Sequence, residues 1–597
     1  MFKQISVSRA NEKTQNKNGL QPEAVSHEIK NKNMAKKVTG SQAVILSLLE
    51  EGVDTIFGYP GGAIMPIYDA LYDYDRNVKH ILTRHEQGAV HAADAYARVT
   101  GKAGVCFATS GPGATNLITG ISNAMIDSIP LVCITGQVVS PLLGTDAFQE
   151  SDIVGISIPV TKWNFQITSA EEIPEAIAQA FYIAQSGRPG PVLLDVAKDA
   201  QFGELEFKYK KCRKIRSYVP EPGIDPLQVK QAAELINTAK KPLILCGQGV
   251  IISRAEEELK TFAEKTGIPV AWTLLGLSAF PTEHPLNVGM LGMHGNYGPN
   301  LLTNEADLII AIGMRFDDRV TGNVSTYAKK AKVIHFEIDP SEVDKIIKAD
   351  VAVIGDARKA IEMLIPNVVG NSHNEWIQEF RKCDEVENQK VIQKDLFPTK
   401  PGLTVGEVVR IASEKTNHEA ILVTDVGQHQ MIASRYFKFR HSRSFVTSGG
   451  LGTMGFGLPA SMGAQLGAPG RIVVAMIGDG GFQMTIQELG TIAQNKLPVK
   501  IIILNNHFLG MVRQWQELFF EKRYSFTELQ NPDFITIAKG FGIDGHKVEK
   551  RESLENSIEK MMAHDGPYLL EVTIEKEDNV FPMVPAGASV SDVILEP

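Results

Sequence analysis

Arg471-Ile472-Val473-Val474-Ala475-Met476-Ile477 is an apolar run that ends in Gly478-Asp479-Gly480-Gly481. A run this short, rich in β-branched residues and stopped by glycine, predicts a buried strand over Ile472–Ile477 that feeds a turn. After 24 intervening residues (481–504), a second apolar strand, Lys500–Leu504, runs into Asn505-Asn506. The two runs deliver an aspartate and an asparagine to the same carboxyl edge of one sheet, on adjacent turns. A carboxylate and an amide oxygen, completed by a main-chain carbonyl and phosphate oxygens, suit the octahedral oxygen set of Mg2+. The glycines beside Asp479 let backbone N–H groups reach a diphosphate near a helix N-terminus. An isolated Gly-Asp-Gly would be only a tight turn. The strand–turn pair carries the reading.

The same rhythm extends outward. Strands Ile421–Thr424 and Tyr568–Val572 complete the segment around the two turns. Towards the N-terminus, Thr39-Gly40-Ser41 offers a helix cap, and Val44, Ile45, Leu48 and Leu49 form one helical face that stops at Gly52. Next come strand Val53–Phe57, the turn Gly58-Tyr59-Pro60-Gly61-Gly62, a helix through Leu71 and strand Val78–Leu82. A helix over Gln87–Arg98 and strands Val105–Thr109 and Leu131–Thr135 follow. Between these regions lie a helix over Leu227–Ala239 and strands Pro242–Cys246, Leu308–Ile312 and Lys332–Ile338. Strands alternating with helices of about 10–15 residues predict parallel, doubly wound α/β sheets. The expected organisation is a disordered tail at 1–36, α/β domains at 37–205, 226–366 and 401–575, and a proline-bearing arm at 576–597. Linkers fall at Phe202–Pro226 and at a charged helical stretch, Glu375–Lys394, followed by Phe397-Pro398-Thr399-Lys400-Pro401. The first and third domains share size and rhythm without a literal repeat.

Composition removes several function classes. With 60 Lys+Arg against 69 Asp+Glu the formal charge is −9, and no basic stripe is present, so nucleic acid is not an expected partner. No apolar run reaches the ~18–20 residues of a membrane-crossing helix. The first 36 residues lack the apolar core of a secretory signal and carry Glu12, Glu23 and Glu28, unlike an acid-poor transit peptide. Cys106, Cys133, Cys212, Cys246 and Cys383 are scattered without a C-x-x-C pair, which excludes a disulfide framework and fits a reducing compartment. The cytoplasm is expected. The 52 glycines are the unusual count, because glycine at that level points to backbone approaching a ligand.

A rival reading rests on Gly450-Leu451-Gly452-Thr453-Met454-Gly455, which matches G-x-G-x-x-G, with Asp479 downstream for a ribose contact. A dehydrogenase would use the same string. Pro459 is expected to disturb the helix that should follow, and Asp479 to sit in a glycine turn rather than end a strand cleanly. That reading also leaves Asn505-Asn506 unexplained.

Strand–GDG–x24–NN is the pattern of thiamin-diphosphate (ThDP) enzymes, and their chemistry demands a second constellation. A carboxylate must hydrogen-bond the aminopyrimidine ring, so that the imino tautomer can take the C2 proton. Arg84-His85-Glu86-Gln87-Gly88-Ala89 supplies one, with Glu86 following strand Val78–Leu82 and opening an alanine-rich helix. Alone, Glu86 would be a first-turn glutamate favoured by the helix dipole. Beside Asp479 and Asn506 it is the candidate acid. His85 and His91 are read as packing or surface residues.

From about Lys37 onward the chain resembles the acetohydroxyacid (acetolactate) synthases, ThDP enzymes, and looks like their catalytic large subunit. The resemblance rests on Phe57–Ala63, Arg84–Ala89, Ser110–Asn116, Gly144–Glu150, Arg315–Gly322, Thr424–Gln430 and Gly510–Trp515. It implies Glu86 as the pyrimidine acid, with Gly62, Gln149 and Lys162 facing the reacting carbon and Tyr59 beside the cofactor. Asp479, Asn506 and the main-chain carbonyl of Phe508 would hold Mg2+. Val426, Gly427, Gln428, His429, Gly452, Met454, Gly478, Gly480, Gly481 and Met511 would line the ThDP site, Met454 as the wedge that bends the cofactor. The middle domain would bind FAD without redox use. Arg188, Gly247, Gly249, Leu291, Gly292, His294 and Gly313 match there, as do Arg315, Asp318, Arg319, Glu337, Asp339, Gly355 and Asp356. Arg315 and Trp515 would meet the substrate, Trp515 setting the preference for 2-oxobutyrate. Val139 departs from the plant enzymes, which carry proline there, and this puts inhibitor sensitivity in doubt.

The resemblance further implies decarboxylation of pyruvate and carboligation to a second pyruvate or to 2-oxobutyrate, in branched-chain amino-acid synthesis. Glu86 and Asp479 of one site would come from different chains, so a homodimer or tetramer is expected, with a small regulatory subunit as partner. The alternatives within the superfamily are a pyruvate oxidase or another 2-keto acid carboligase. A simple decarboxylase would carry an adjacent His-His pair, which is absent, and glyoxylate carboligase lacks the pyrimidine glutamate.

Overall fold

A computed structural model describes residues 36–596, so the tail read at 1–36 lies outside the described residues except for Lys36. Three six-stranded sheets, parallel throughout and flanked by helices, follow one another along the chain. The first has the spatial order Lys79–Leu82, Thr55–Gly58, Gly104–Ala108, Leu131–Gln137, Pro191–Ala197, Trp163–Ile167. The third runs Phe445–Val446, Ile421–Thr424, Val473–Gly478, Lys500–Asn505, Tyr568–Thr573, Asp544–Val548. Counted from its own first strand, each reads 2-1-3-4-6-5. The two domains therefore share a topology that the sequence does not repeat. The middle sheet runs Asn287–Met290, Val270–Trp272, Pro242–Cys246, Leu308–Ile312, Lys332–Glu337, Val351–Ile354, an order of 3-2-1-4-5-6, which is that of dinucleotide-binding sheets.

Strand order decides where ligands go, because crevices open where it reverses, beyond the carboxyl ends of the strands. In the third sheet that point lies between Ile421–Thr424 and Val473–Gly478, beneath Asp425–Gln428 and Asp479–Gly481. In the first it lies between Thr55–Gly58 and Gly104–Ala108, beneath Tyr59–Gly62 and Thr109–Gly113. In the middle sheet it lies between Pro242–Cys246 and Leu308–Ile312, beneath Gly247–Gly249 and Gly313–Arg315.

The first and third domains meet along one helix pair, Glu86–Thr100 against Gly457–Gly467. Small residues make the approach possible. A Cβ on Gly463 would lie 1.8 Å from the carbonyl oxygen of Ala92, so only glycine fits. His91 packs edge-on against Phe456 in this seam, with ring centroids 5.2 Å apart, and one apolar core continues through it.

Several local expectations need correction. Pro459 does not disturb its helix, because it sits in the first turn of Gly457–Gly467, where its missing N–H has no intrahelical acceptor to lose. Asp479 does follow a strand directly, as the first residue of the helix Asp479–Met484. The charged stretch is a helix over Asn374–Glu387, then a π turn at Asn388–Ile392 and a last turn at Gln393–Leu396. The first linker contributes an unforeseen strand, Glu204–Phe207, paired antiparallel with Lys36–Thr39. Thr39 then caps the helix Gly40–Glu50 in a reciprocal box with Gln42.

Candidate active site

At the edge of the third sheet the sequence-predicted residues converge. A cavity of about 60 Å3 is lined by Val426, Gly427, Gln428, His429, Met454 and Gly478, and by Asp479, Gly480, Gly481, Asn506, Phe508 and Met511. Asp479 is buried, and its Oδ2 accepts from Asn531 Nδ2 at 2.6 Å. Burial pushes its carboxyl up to about 6, against the opposing pull of that hydrogen bond. Asn506 turns its amide oxygen to the N–H of Phe508 at 3.0 Å, while Asn505 faces the protein and donates to Glu571 at 2.8 Å. Of the two asparagines, only Asn506 lines the cavity. His429 is buried and held neutral, its ring pushed down to about 4, and its Nε2 has no partner.

These residues fit the groups the sequence implies. A carboxylate, an amide oxygen and a free carbonyl line one cavity, and no cluster of three His, Cys, Asp or Glu side chains exists among the described residues. That set suits Mg2+ shared with phosphate oxygens rather than a metal caged by protein alone. The glycines leave room where side chains would intrude. A Cβ on Gly478 would lie 3.0 Å from the His429 ring, and Gly452 has φ +68°, a left-handed backbone that favours glycine.

Behind this wall lies a residue that sequence reading passed over inside its own motif. Asp425 is fully buried and accepts from the N–H groups of Val426 (2.9 Å), Gly455 (3.1 Å) and Gly457 (2.8 Å). It ties the 425–428 turn to the Gly450–Gly457 loop, which is why that G-x-G-x-x-G string lines this site. Asn531 was also missed. It lies in an irregular segment with no periodicity to mark it, and it bridges Asp479 and Asn505 (2.9 Å).

A second cavity, of about 750 Å3, is shared by all three domains. Arg188, Gly249, Leu291, Gly292, His294 and Gly313 line it, with Arg315, Asp318, Arg319, Glu337, Gly355 and Asp356. Its size lies within the ~300–1,000 Å3 of pockets that take a whole ligand, and it opens at the switch point of a dinucleotide-type sheet, so FAD fits. Gly247 and Asp339 do not line it. Gly247 lies against the Gly313 carbonyl, where a Cβ would come within 2.2 Å, and Asp339 pairs with Arg188 at 3.3 Å. Val426, Gly452, Met511 and Trp515 form the far wall, and Val426 and Met511 also line the small cavity.

The first-domain residues form a separate group. Glu86 accepts from Asn116 Nδ2 at 3.0 Å, and a Cβ on Gly113 would come within 3.2 Å of its Oε1. Gln149 closes on the same edge, its carbonyl 2.8 Å from where a Gly111 Cβ would sit. Tyr59, Gly62 and Gln149 are exposed. Neither cavity is lined by Tyr59, Gly62, Glu86, Gln149 or Lys162. The Lys162 ammonium donates instead to the Ser186 carbonyl and the Tyr218 hydroxyl, both at 2.9 Å, and burial lowers it to about 8. His85 caps the Glu86 helix through Nδ1, and His91 is buried packing, as read.

Three successive segments match thiamine pyrophosphate enzyme domains: the N-terminal TPP binding domain over 38–156, the central domain over 229–364 and the C-terminal TPP binding domain over 425–572. Such a domain set defines the class. Among curated proteins the chain is 47% identical over 567 residues to an acetolactate synthase large subunit of Corynebacterium glutamicum, covering 94% of this chain and 90% of that one. It is 46% identical to the large subunit of acetolactate synthase isozyme 2 of Escherichia coli (93% and 99% covered) and 42% to the large subunit of Lactococcus lactis (94% and 97%). The chain belongs to the acetolactate synthase large-subunit family.

Proposed function

We propose that the chain decarboxylates pyruvate and joins the two-carbon remnant to a second pyruvate, giving 2-acetolactate, or to 2-oxobutyrate, giving 2-aceto-2-hydroxybutyrate. The pathway served is valine, leucine and isoleucine biosynthesis. The observation that carries this reading is the meeting of Asp479, Asn506 and the glycine turns around one cavity, which shares Val426 and Met511 with the larger cavity that Trp515 lines.

Bound there, ThDP would supply the nucleophilic carbon and the electron sink that decarboxylation needs. Asp479, Asn506 and the Phe508 carbonyl would hold Mg2+ and, through it, the diphosphate. Met454 would press the cofactor from the cavity wall. Glu86 would keep a proton on the distal nitrogen of the aminopyrimidine. Trp515 and Arg315 would orient the acceptor keto acid, and the large cavity would hold FAD as a structural group.

One chain's small cavity is far below the ~300 Å3 minimum of whole-ligand pockets. Glu86, itself buried, does not line it, and its neighbours Tyr59, Gly62 and Gln149 are exposed, which supports a site completed by a second chain, in a homodimer or tetramer. The relatives are named large subunits, which supports a small regulatory partner. The domain boundaries at 37–205, 226–366 and 401–575 belong to the same proposal, supported by each six-stranded sheet falling within one of them. No helix among the described residues is long and apolar enough to cross a membrane, and five free cysteines support the cytoplasm.

The test is a pyruvate assay with and without ThDP, Mg2+ and FAD, identifying the product. Acetolactate that requires ThDP and Mg2+ sustains the reading. Flavin bleaching on pyruvate addition without acetolactate would identify an oxidase, and acetaldehyde alone a simple decarboxylase.

A further inference from the structure

The turn that carries Glu86 is held from outside its own domain. Glu488, in the third domain and downstream of Asp479, is fully buried. Its Oε1 and Oε2 accept from the Arg84 N–H at 3.0 and 3.2 Å. The Thr491 hydroxyl donates to Oε2 at 2.7 Å. The Arg84 side chain reaches back to the Gly490 carbonyl at 3.3 Å and to Gln494 Oε1 at 2.7 Å. Gly88 completes the fit, since a Cβ there would lie 2.4 Å from Glu488 Oε1. No salt bridge to Glu488 exists among the described residues. A buried carboxylate without a paired cation is costly, and this one is satisfied by the Arg84 N–H at that turn and by the Thr491 hydroxyl. That turn opens directly into Glu86.

We propose that Glu488 is a positioning residue for Glu86, holding the Arg84–His85 backbone so that the Glu86 carboxylate meets the aminopyrimidine. The proposal rests on the reading of Glu86 as the pyrimidine acid. In a site shared between chains it has a further consequence. The segment that begins at Asp479 of one cofactor site fixes the acid that serves the other.

The experiment compares E488A, E488Q, E86Q and R443A as full-length enzymes. Arg443 bonds the Arg98 carbonyl at the opposite end of the Glu86 helix, at 2.9 Å, and so controls for general loosening of the domain contact. Two quantities are read: amide hydrogen exchange of residues 82–90 in cofactor-free enzyme, and hydrogen–deuterium exchange at C2 of bound ThDP. E488A should lose amide protection across 82–90 and slow C2 exchange by about 100-fold, while R443A changes neither and ThDP affinity holds. E488Q, which keeps the shape but puts an NH2 against N–H donors, should fall between, and it carries the test if E488A does not fold. Wild-type exchange in both Glu488 variants would overturn the proposal, as would an equal loss in R443A. C2 exchange at the wild-type rate in E86Q would instead sink the role of Glu86, a result separable from the others.

Discussion

The first and third sheets have the same strand order and a crevice at the same topological point, yet they present different things there. At the third sheet, Asp479, Asn506 and His429 close around a cavity, each buried. At the first, Tyr59, Gly62 and Gln149 lie open, and Glu86 bonds only Asn116. One edge encloses a cavity and the other leaves its flanking residues open to solvent. Topology chose both locations, and under the proposed function side-chain chemistry alone would make one a diphosphate and metal site and the other an acid site.

The comparison can be broken most decisively at Glu86. Glu86→Gln should lower kcat by about 10²–10⁴-fold, the usual worth of a positioned acid–base group, with the melting temperature unchanged. A loss below threefold would leave the open edge without a catalytic role. The proposed sharing of sites predicts a recovery when two dead variants are mixed. E86Q and D479A chains, unfolded or exchanged together, should regain up to about a quarter of wild-type activity, because half the dimers carry one intact site. No regain in a mixture shown to contain heterodimers would place both halves within one chain. On the closed edge, Asn531→Ala should weaken Mg2+-dependent ThDP binding by about 10–100-fold, as loss of a partner behind a metal ligand does. Titration of the apparent Mg2+ affinity checks it.

The smallest effect is a pH dependence at the seam between the two domains. Burial pushes His91 down from 6.5 to about 3, so the folded chain keeps it neutral where the unfolded chain protonates it. Between those values the unfolded state binds more protons, and stability falls as pH falls. The slope from His91 approaches ~1.4 kcal/mol per pH unit at most. His91→Gln should flatten the acid limb of denaturant-measured stability by part of that slope. An unchanged limb would show that His91 is not buried neutral.

How much of this was legible follows from what local sequence encodes. Short apolar runs marked the strands that lead to Asp479, Asn506 and Glu86, so these could be placed on sheet edges before any fold was known. Strand ends shifted by only a residue or two, as in Val473–Gly478 for the expected Ile472–Ile477. What failed to show was whatever depends on residues distant in sequence. Asn531 and Glu488 act through partners tens to hundreds of residues away, and no spacing announces them. The strand pair Lys36–Thr39 with Glu204–Phe207 is only four residues long on each side, and the alternation of Glu204-Leu205-Glu206-Phe207 is too short to stand out inside a charged linker. Pro459 misled because a rule for helix interiors was applied to a first turn. Asp425 sat inside a quoted motif, but its work is done on backbone N–H groups, which a sequence does not display.

The meeting of Gly463 with Ala92 also has a mechanical meaning. Where Gly463 meets Ala92 no side chain stands between the helices to re-sort, so this crossing resists sliding in small steps. The first and third domains of a chain then travel as one rigid piece. Small adjustments around a bound keto acid then fall to segments outside this joint, such as the irregular stretch around Phe526, whose side chain is fully exposed.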